Sequence, residues 1–211
     1  MSPPPQQAER AALCHLMLQL GPDAPTLCEG WTTYDLAAHL YVREHDPVAS
    51  VGILVPAAEG LHDRAIARTK DRTPFEELVG KVRSGPPLWW RPLDALANVQ
   101  ELFVHHEDVR RGGGDTTPRP EDEVEALEST LWGNLRRGHV LMTRRVKGVR
   151  VDLVAPGREP IHAGRGDETV TITGRPGEIV LYLLGRRRAA HVGITGSTRA
   201  RAALDDAQLG I

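Results

Sequence analysis

The chain has 211 residues, of which 40% are hydrophobic and 26% are charged, and its formal net charge is −2 at pH 7. This composition is ordinary for a globular protein of one or two domains, and the charge predicts no affinity for nucleic acid or anionic membranes. No apolar run approaches the roughly 18 residues of a membrane span. The two cysteines do not suggest a disulfide framework, and the N-terminus does not resemble a signal peptide. The sequence therefore predicts a cytoplasmic protein.

The first part of the chain shows the apolar spacing of helices. Gly21 ends the first helix, and Thr32 with Asp35 forms a capping-box start for the second. Thr73 is predicted as the N-cap of a later helix, with Pro74 at its first position. The predicted helices cover AERAALCHLMLQL, TTYDLAAHLYVREH, residues 58–69, the segment up to Gly85, about Pro92 to Arg111, and about Pro120 to Arg145.

The pattern changes near Val146. "VRVDLVA" and "ETVTIT" alternate with a period of two and are rich in β-branched residues, which predicts strands, with "PGREP" and "GRGD" as turns between them. A helix over "PGEIVLYLLGRR", a strand over "AHVGIT" and a final helix capped by Ser197 follow. The sequence therefore predicts a helical domain over residues 1–145 and a small α/β domain over residues 146–211.

One helix carries a narrow polar stripe. Asp94, Asn98, Glu101, His105 and Asp108 fall within about 80° of its circumference, and apolar side chains cover most of the rest. A helix that is apolar nearly all round is usually central and buried, where unpaired carboxylates are costly. The stripe is therefore either the solvated side of the helix or part of a metal site. Its lack of basic residues favours the metal site.

Glu101 and His105 are four residues apart, so their side chains project next to each other and suit a single ion. His39 shares a helix face with apolar residues, where a histidine is either a hydrogen-bonded core residue or a third ligand. His106 points about 100° away and is predicted to be either a core residue or one that supports the site from outside, and Asp108 is predicted to orient His105. The remaining histidines considered fit no common face and are interpreted as surface or incidental: His45, His62, His139, His162 and His191.

The segments "GWTTYDLAAHL" and "ELFVHHEDVRR" resemble the paired motifs of DinB-like bundle metalloproteins, and more closely those of the mycothiol-dependent maleylpyruvate isomerase family. The resemblance implies an α+β protein with an N-terminal DinB-like four-helix bundle and a small sterol-carrier-protein-like α/β domain. It also implies that His39, Glu101 and His105 bind the metal, and that Arg186 of "LYLLGRRR" is a catalytic residue near it. An arginine at a helix C-terminus that only interacts with the helix dipole is the alternative for Arg186.

The expected metal is zinc, with nickel, iron and manganese as alternatives, and mycothiol is the thiol cosubstrate that the resemblance implies. The expected activity is that of a mycothiol-dependent isomerase or thiol S-transferase acting on a small electrophile, with Arg43 or Arg186 binding a substrate carboxylate. The alternatives are a non-catalytic metal-binding or ligand-sensing protein of the same fold and a metal-free interaction protein. The protein is expected to be a monomer or a homodimer.

Overall fold

The computed structural model describes residues 3–49, 59–87 and 91–210, with the backbone alone at Glu59 and at residues 91–97. The chain divides into two compact units, Met1–Asp115 and Thr116–Ile211. Among the described residues, none of the helices combines the length and the apolar character that a membrane crossing requires.

Helices make up the first unit. Helix α1 ends where Gly21 takes a positive φ of 83°, and the Thr32–Asp35 capping box begins α2 as predicted. Pro74 has an extended backbone with a ψ of 151°, so the fourth described helix begins at Phe75, one residue later than predicted. The described helices are α1 (Pro5–Leu20), α2 (Thr33–His45), α3 (Glu59–Arg72), α4 (Phe75–Ser84) and α5 (Arg91–Arg111).

A single apolar cluster joins these helices. Helix α1 packs against α4 and α5, while α2 packs against α3 and α4. The fully buried members of the cluster include Leu13 and Met17 of α1, Leu36 and Leu40 of α2, and Leu102 of α5. The two residues of each pair are four positions apart, and Leu102 lies beside the polar stripe of α5. The helical periodicity of the sequence therefore accounts for these core positions.

The second unit combines helices with a mixed sheet. Its four strands lie in the order β2-β1-β3-β4, in which β1 and β3 are parallel and the two outer pairs are antiparallel. The predicted α+β class is therefore confirmed. The elements are α6 (Glu121–Thr143), β1 (Arg150–Val154), β2 (Ile161–Gly164), β3 (Thr169–Thr173), α7 (Pro176–Leu183), β4 (Gly193–Gly196) and α8 (Thr198–Asp206).

Two features of this unit differ from the sequence predictions. Strand β2 lies between the two predicted turns and was not predicted, because its four residues are too few to show a clear alternation. Helix α6 packs against α7 and β2, so the structural division falls between Asp115 and Thr116 and not near residue 145. Local periodicity identifies a helix, but it does not show which element the helix covers.

Candidate metal centre

Three polar side chains converge inside the first unit. Glu101 Oε1 lies 3.3 Å from Nε2 of His39 and 3.1 Å from Nε2 of His105. One donor atom from each residue lies within 4.8 Å of the other two. His39 and His105 are more than nine-tenths buried, whereas the side chain of Glu101 is 19% exposed. The structure thus brings together the three residues that the sequence predicted, and their role as metal ligands stays a prediction.

The outer nitrogen of each histidine is also engaged. His39 Nδ1 lies 2.8 Å from Nε2 of His62, and His105 Nδ1 lies 2.9 Å from Oδ2 of the fully buried Asp108. Such contacts fix the tautomer and the ring orientation of a metal-binding histidine. Both rings are therefore held with Nε2 directed toward Glu101, and Asp108 lies where the sequence predicted a residue that orients His105.

The interpretation of His62 as a surface or incidental residue is wrong. His62 is only 6% exposed and contacts His39. The sequence holds a signal for this burial, because His62 is spaced by three and four residues from Ala65 and Ile66, both of which are buried on the same face of α3. None of the other four histidines grouped with it is buried: His45, His139, His162 and His191.

Burial, hydrogen bonds and charges together set the protonation of the site. Burial disfavours an ionised Glu101, but hydrogen bonds from His105 and His39 hold its pKa well below the usual range. Burial likewise disfavours a charged His105, yet its hydrogen bonds to Asp108 and Glu101 hold its pKa well above the usual range. Burial lowers the pKa of His39 to about 4. At neutral pH the trio therefore holds an ionised carboxylate, a protonated His105 and a neutral His39.

A chain of buried polar contacts leads from α1 to Glu101. The side chain of Arg10 donates to both carboxylate oxygens of Glu44, at 3.0 and 2.6 Å, and Asn98 donates to the same carboxylate at 2.8 Å. Arg43 donates in turn to Asn98, and its Nε lies 3.3 Å from Oε1 of Glu101. The guanidinium of Arg43, predicted to bind substrate, is thus fixed against the carboxylate of the trio.

Two other predicted residues have contacts with groups other than the trio. His106 Nδ1 lies 2.8 Å from Glu9 Oε1, which forms a buried link between α1 and α5. Arg186 belongs to the second unit, where its side chain donates to the carbonyl of Leu184 at 2.7 Å. The site roles of both residues stay predictions, and the side chain of Asp94 lies outside the described residues.

A cysteine that the sequence gave no reason to include also lies close to this cluster. Cys28, in the loop before α2, places its Sγ 3.2 Å from Asp108 Oδ2. It belongs to a second group of potential metal donors, together with His105 and Asp108. No periodicity could have identified it, because its position depends on how the loop packs against α5.

The donor set fits a divalent transition metal. Two imidazole nitrogens and one carboxylate oxygen are the ligands of many catalytic zinc sites, and three protein ligands leave a coordination position for another molecule. The fold and the site together define a two-unit α+β protein with a candidate His₂Glu metal centre in its helical unit.

Comparison with known proteins supports this description at the level of the fold. No protein-family model matches the chain. A search of curated proteins also finds no match. Among solved structures the chain is similar to a mycothiol-dependent maleylpyruvate isomerase, with a TM-score of 0.58, 19% sequence identity and coverage of 92% of this chain and 90% of that one. A histidine-to-alanine mutant of a mycothiol-dependent maleylpyruvate isomerase gives a TM-score of 0.53 at 18% identity with the same coverage. The resemblance predicted from the two sequence motifs is thereby confirmed for the fold.

Proposed function

We propose that the protein is a metal-dependent enzyme that uses mycothiol, a low-molecular-weight thiol, against a small electrophilic substrate. Zinc is the proposed metal, and His39, Glu101 and His105 are its proposed ligands. The observation that carries the proposal is the convergence of these three side chains from α2 and α5. The shared fold with a mycothiol-dependent isomerase supports the choice of thiol, and it supports a DinB-like assignment for the helical unit and a sterol-carrier-protein-like one for the second.

A divalent ion held by these ligands would leave a coordination position for the thiol and would stabilise its thiolate at neutral pH. The side chains around the trio prepare it for this task. His62 and Asp108 hold the outer nitrogens of the two histidines, while Arg43 holds the carboxylate of Glu101. Because His39 and His105 are almost wholly buried, water competes weakly for their ring nitrogens.

The thiolate acts as the nucleophile toward the electrophilic carbon of the substrate. In an isomerase it adds to a cis double bond conjugated to a carbonyl group, whose oxygen takes up the displaced electron pair as an enolate. The resulting single bond rotates, and return of that electron pair expels the same thiolate and restores the double bond in the trans form. In an S-transferase it displaces a leaving group, which departs with the electron pair of the broken bond. Arg43 and Arg186 are the two residues proposed to bind a substrate carboxylate.

Two measurements on the purified protein test the proposal. Elemental analysis is expected to find a stoichiometric divalent metal, and thiol-dependent consumption of an electrophile such as maleylpyruvate is expected to follow its presence. His39→Ala should abolish the thiol-dependent consumption and the binding of metal by the trio, because the variant lacks one of the two imidazole ligands. His15→Ala serves as the matched control, since His15 is exposed on α1 and should leave both unchanged.

The outcomes separate the rival functions. A bound metal without thiol-dependent turnover would identify a metal-binding or ligand-sensing protein. Protein without bound metal, both as purified and after incubation with zinc, would overturn the proposal and favour a metal-free interaction protein.

A further inference from the structure

The loop that precedes α2 is docked tightly on the end of α5. The backbone N–H of Leu27 donates to the carbonyl of Asp108 at 3.0 Å. At Gly112, just beyond α5, an added Cβ would lie 2.1 Å from the carbonyl oxygen of Pro25, so the loop approaches too closely for any side chain at that position. The backbone on both sides of the contact is therefore fixed.

Hydrogen bonds within the loop orient Cys28. Its N–H donates to the hydroxyl oxygen of Thr26 at 3.2 Å, and its carbonyl accepts from the N–H of Trp31 at 3.0 Å. The ring of Trp31 in turn lies 5.2 Å, centroid to centroid, from that of His39. This packing directs the thiol of Cys28 toward α5, where its Sγ lies 3.2 Å from Asp108 Oδ2.

A second set of metal donors results from this arrangement. Cys28, His105 and Asp108 each offer one donor atom, and the three atoms lie within 4.8 Å of one another. His105 contacts Asp108 through Nδ1 and Glu101 through Nε2, so the two sets use opposite edges of the same imidazole ring. Asp108 is fully buried and Cys28 is half-buried, which leaves the thiol as the accessible side of the set.

We propose that Cys28, His105 and Asp108 form a second metal position that takes a thiophilic divalent ion such as Zn²⁺, Co²⁺ or Cd²⁺. A thiolate, an imidazole and a carboxylate are a favourable donor set for such ions, and the thiolate disfavours Mg²⁺ and Ca²⁺. Binding displaces the thiol proton of Cys28 and the proton shared by His105 and Asp108. Filling both positions also requires loss of the Nε2 proton of His105, so that its ring would bind as an imidazolate.

The second position shares His105 with the first but includes neither His39 nor Glu101, so it does not require the proposed thiol chemistry. The two proposals are therefore separable by substitution. Glu101→Gln weakens the first donor set and leaves all three donors of the second in place, whereas Cys28→Ser does the reverse.

A Co²⁺ titration tests the second position directly. Metal-free protein with reduced thiols is titrated with Co²⁺, and a thiolate-to-cobalt charge-transfer band is expected in the near ultraviolet. The band should be lost in Cys28→Ser and retained in Glu101→Gln. Cys14→Ser is the matched control, since Cys14 is buried in the apolar core of α1 and should leave the band unchanged.

A second measurement needs no variant. The wild-type protein is alkylated with iodoacetamide with and without Cd²⁺, and modification at each cysteine is followed by mass spectrometry. Cd²⁺ is expected to protect Cys28. The absence of a charge-transfer band, a band that persists in Cys28→Ser, or alkylation of Cys28 at the same rate with and without Cd²⁺ would each overturn the proposal.

Discussion

The two units of this chain treat buried polar groups very differently. Among the described residues after Asp115, the buried polar side chains are those of Thr143 and Glu178. The first unit buries both carboxylates and guanidinium groups within its helices. Its buried polar residues are Glu9, Arg10, Thr33, His39, Glu44, His62, Thr73, Asn98, His105, His106, Glu107, Asp108 and Arg111.

This contrast shows which unit has an interior that apolar packing alone does not explain. Buried charges contribute little to stability even when paired, and apolar groups of the same size would often do better. Strand β3 shows the apolar solution, since its buried residues are Val170 and Ile172. All eight residues of α7 are buried, and Glu178 is the charged one among them. The first unit keeps a costly polar interior, which is typical of a functional site.

The largest effect is expected from a substitution that breaks the polar network of the first unit. Glu44→Ala leaves the guanidinium of the buried Arg10 without its carboxylate partner, so the free energy of unfolding should fall by about 3–5 kcal/mol. Urea denaturation followed by circular dichroism measures the change. Asp152→Ala in the second unit is the control, because its partner His162 is 64% exposed and the expected loss is at most about 1 kcal/mol. Equal losses in the two variants would contradict the contrast between the units.

A smaller effect is expected at the edge of the metal centre. His62→Ala removes the contact that holds His39 Nδ1, and zinc affinity should fall by about 10–100-fold, with partial recovery in His62→Gln. Competition with a chromophoric chelator measures the affinity, and His15→Ala provides the control on an exposed histidine of the same unit. Unchanged affinity in His62→Ala would show that His62 is only a packed core residue.

The protonation of His105 predicts a pH dependence of metal binding. Since the contacts with Asp108 and Glu101 hold its pKa well above the usual range, a metal must displace a proton from His105 at neutral pH. Affinity should therefore rise with pH until that pKa is reached and fall with acidification, by about tenfold per pH unit for one proton. Calorimetry in two buffers of different ionisation enthalpy counts the protons released. A heat of binding that is the same in both buffers would show that no proton is displaced.

The smallest effect is expected from a substitution that changes only the stability of the second unit. The hydroxyl of Ser197 accepts from the N–H of Ala200 at 3.1 Å and caps α8, so Ser197→Ala should lower the free energy of unfolding by about 1 kcal/mol. Zinc affinity should stay at the wild-type value. Loss of zinc affinity in Ser197→Ala would show that metal binding also depends on the second unit.

The amino-acid sequence by itself determined most of the elements. The Thr32–Asp35 capping box and the Ser197 cap are local signals, because each needs only residues within one helical turn. The pairing of Glu101 with His105 is of the same kind, since a spacing of four residues places two side chains together on any helix. These interactions are short in sequence, and so the sequence is sufficient to predict them.

Only the tertiary structure decided which residues lie around Glu101 and His105. His62 comes from α3 and Cys28 from a loop, and each reaches the cluster through packing across more than twenty residues of chain. Arg43 faces Glu101 because Asn98 and Glu44 hold it there, and not because of its place in α2 alone. Helical periodicity fixes the direction of a side chain on its own helix, but the partner in that direction depends on how the whole unit packs.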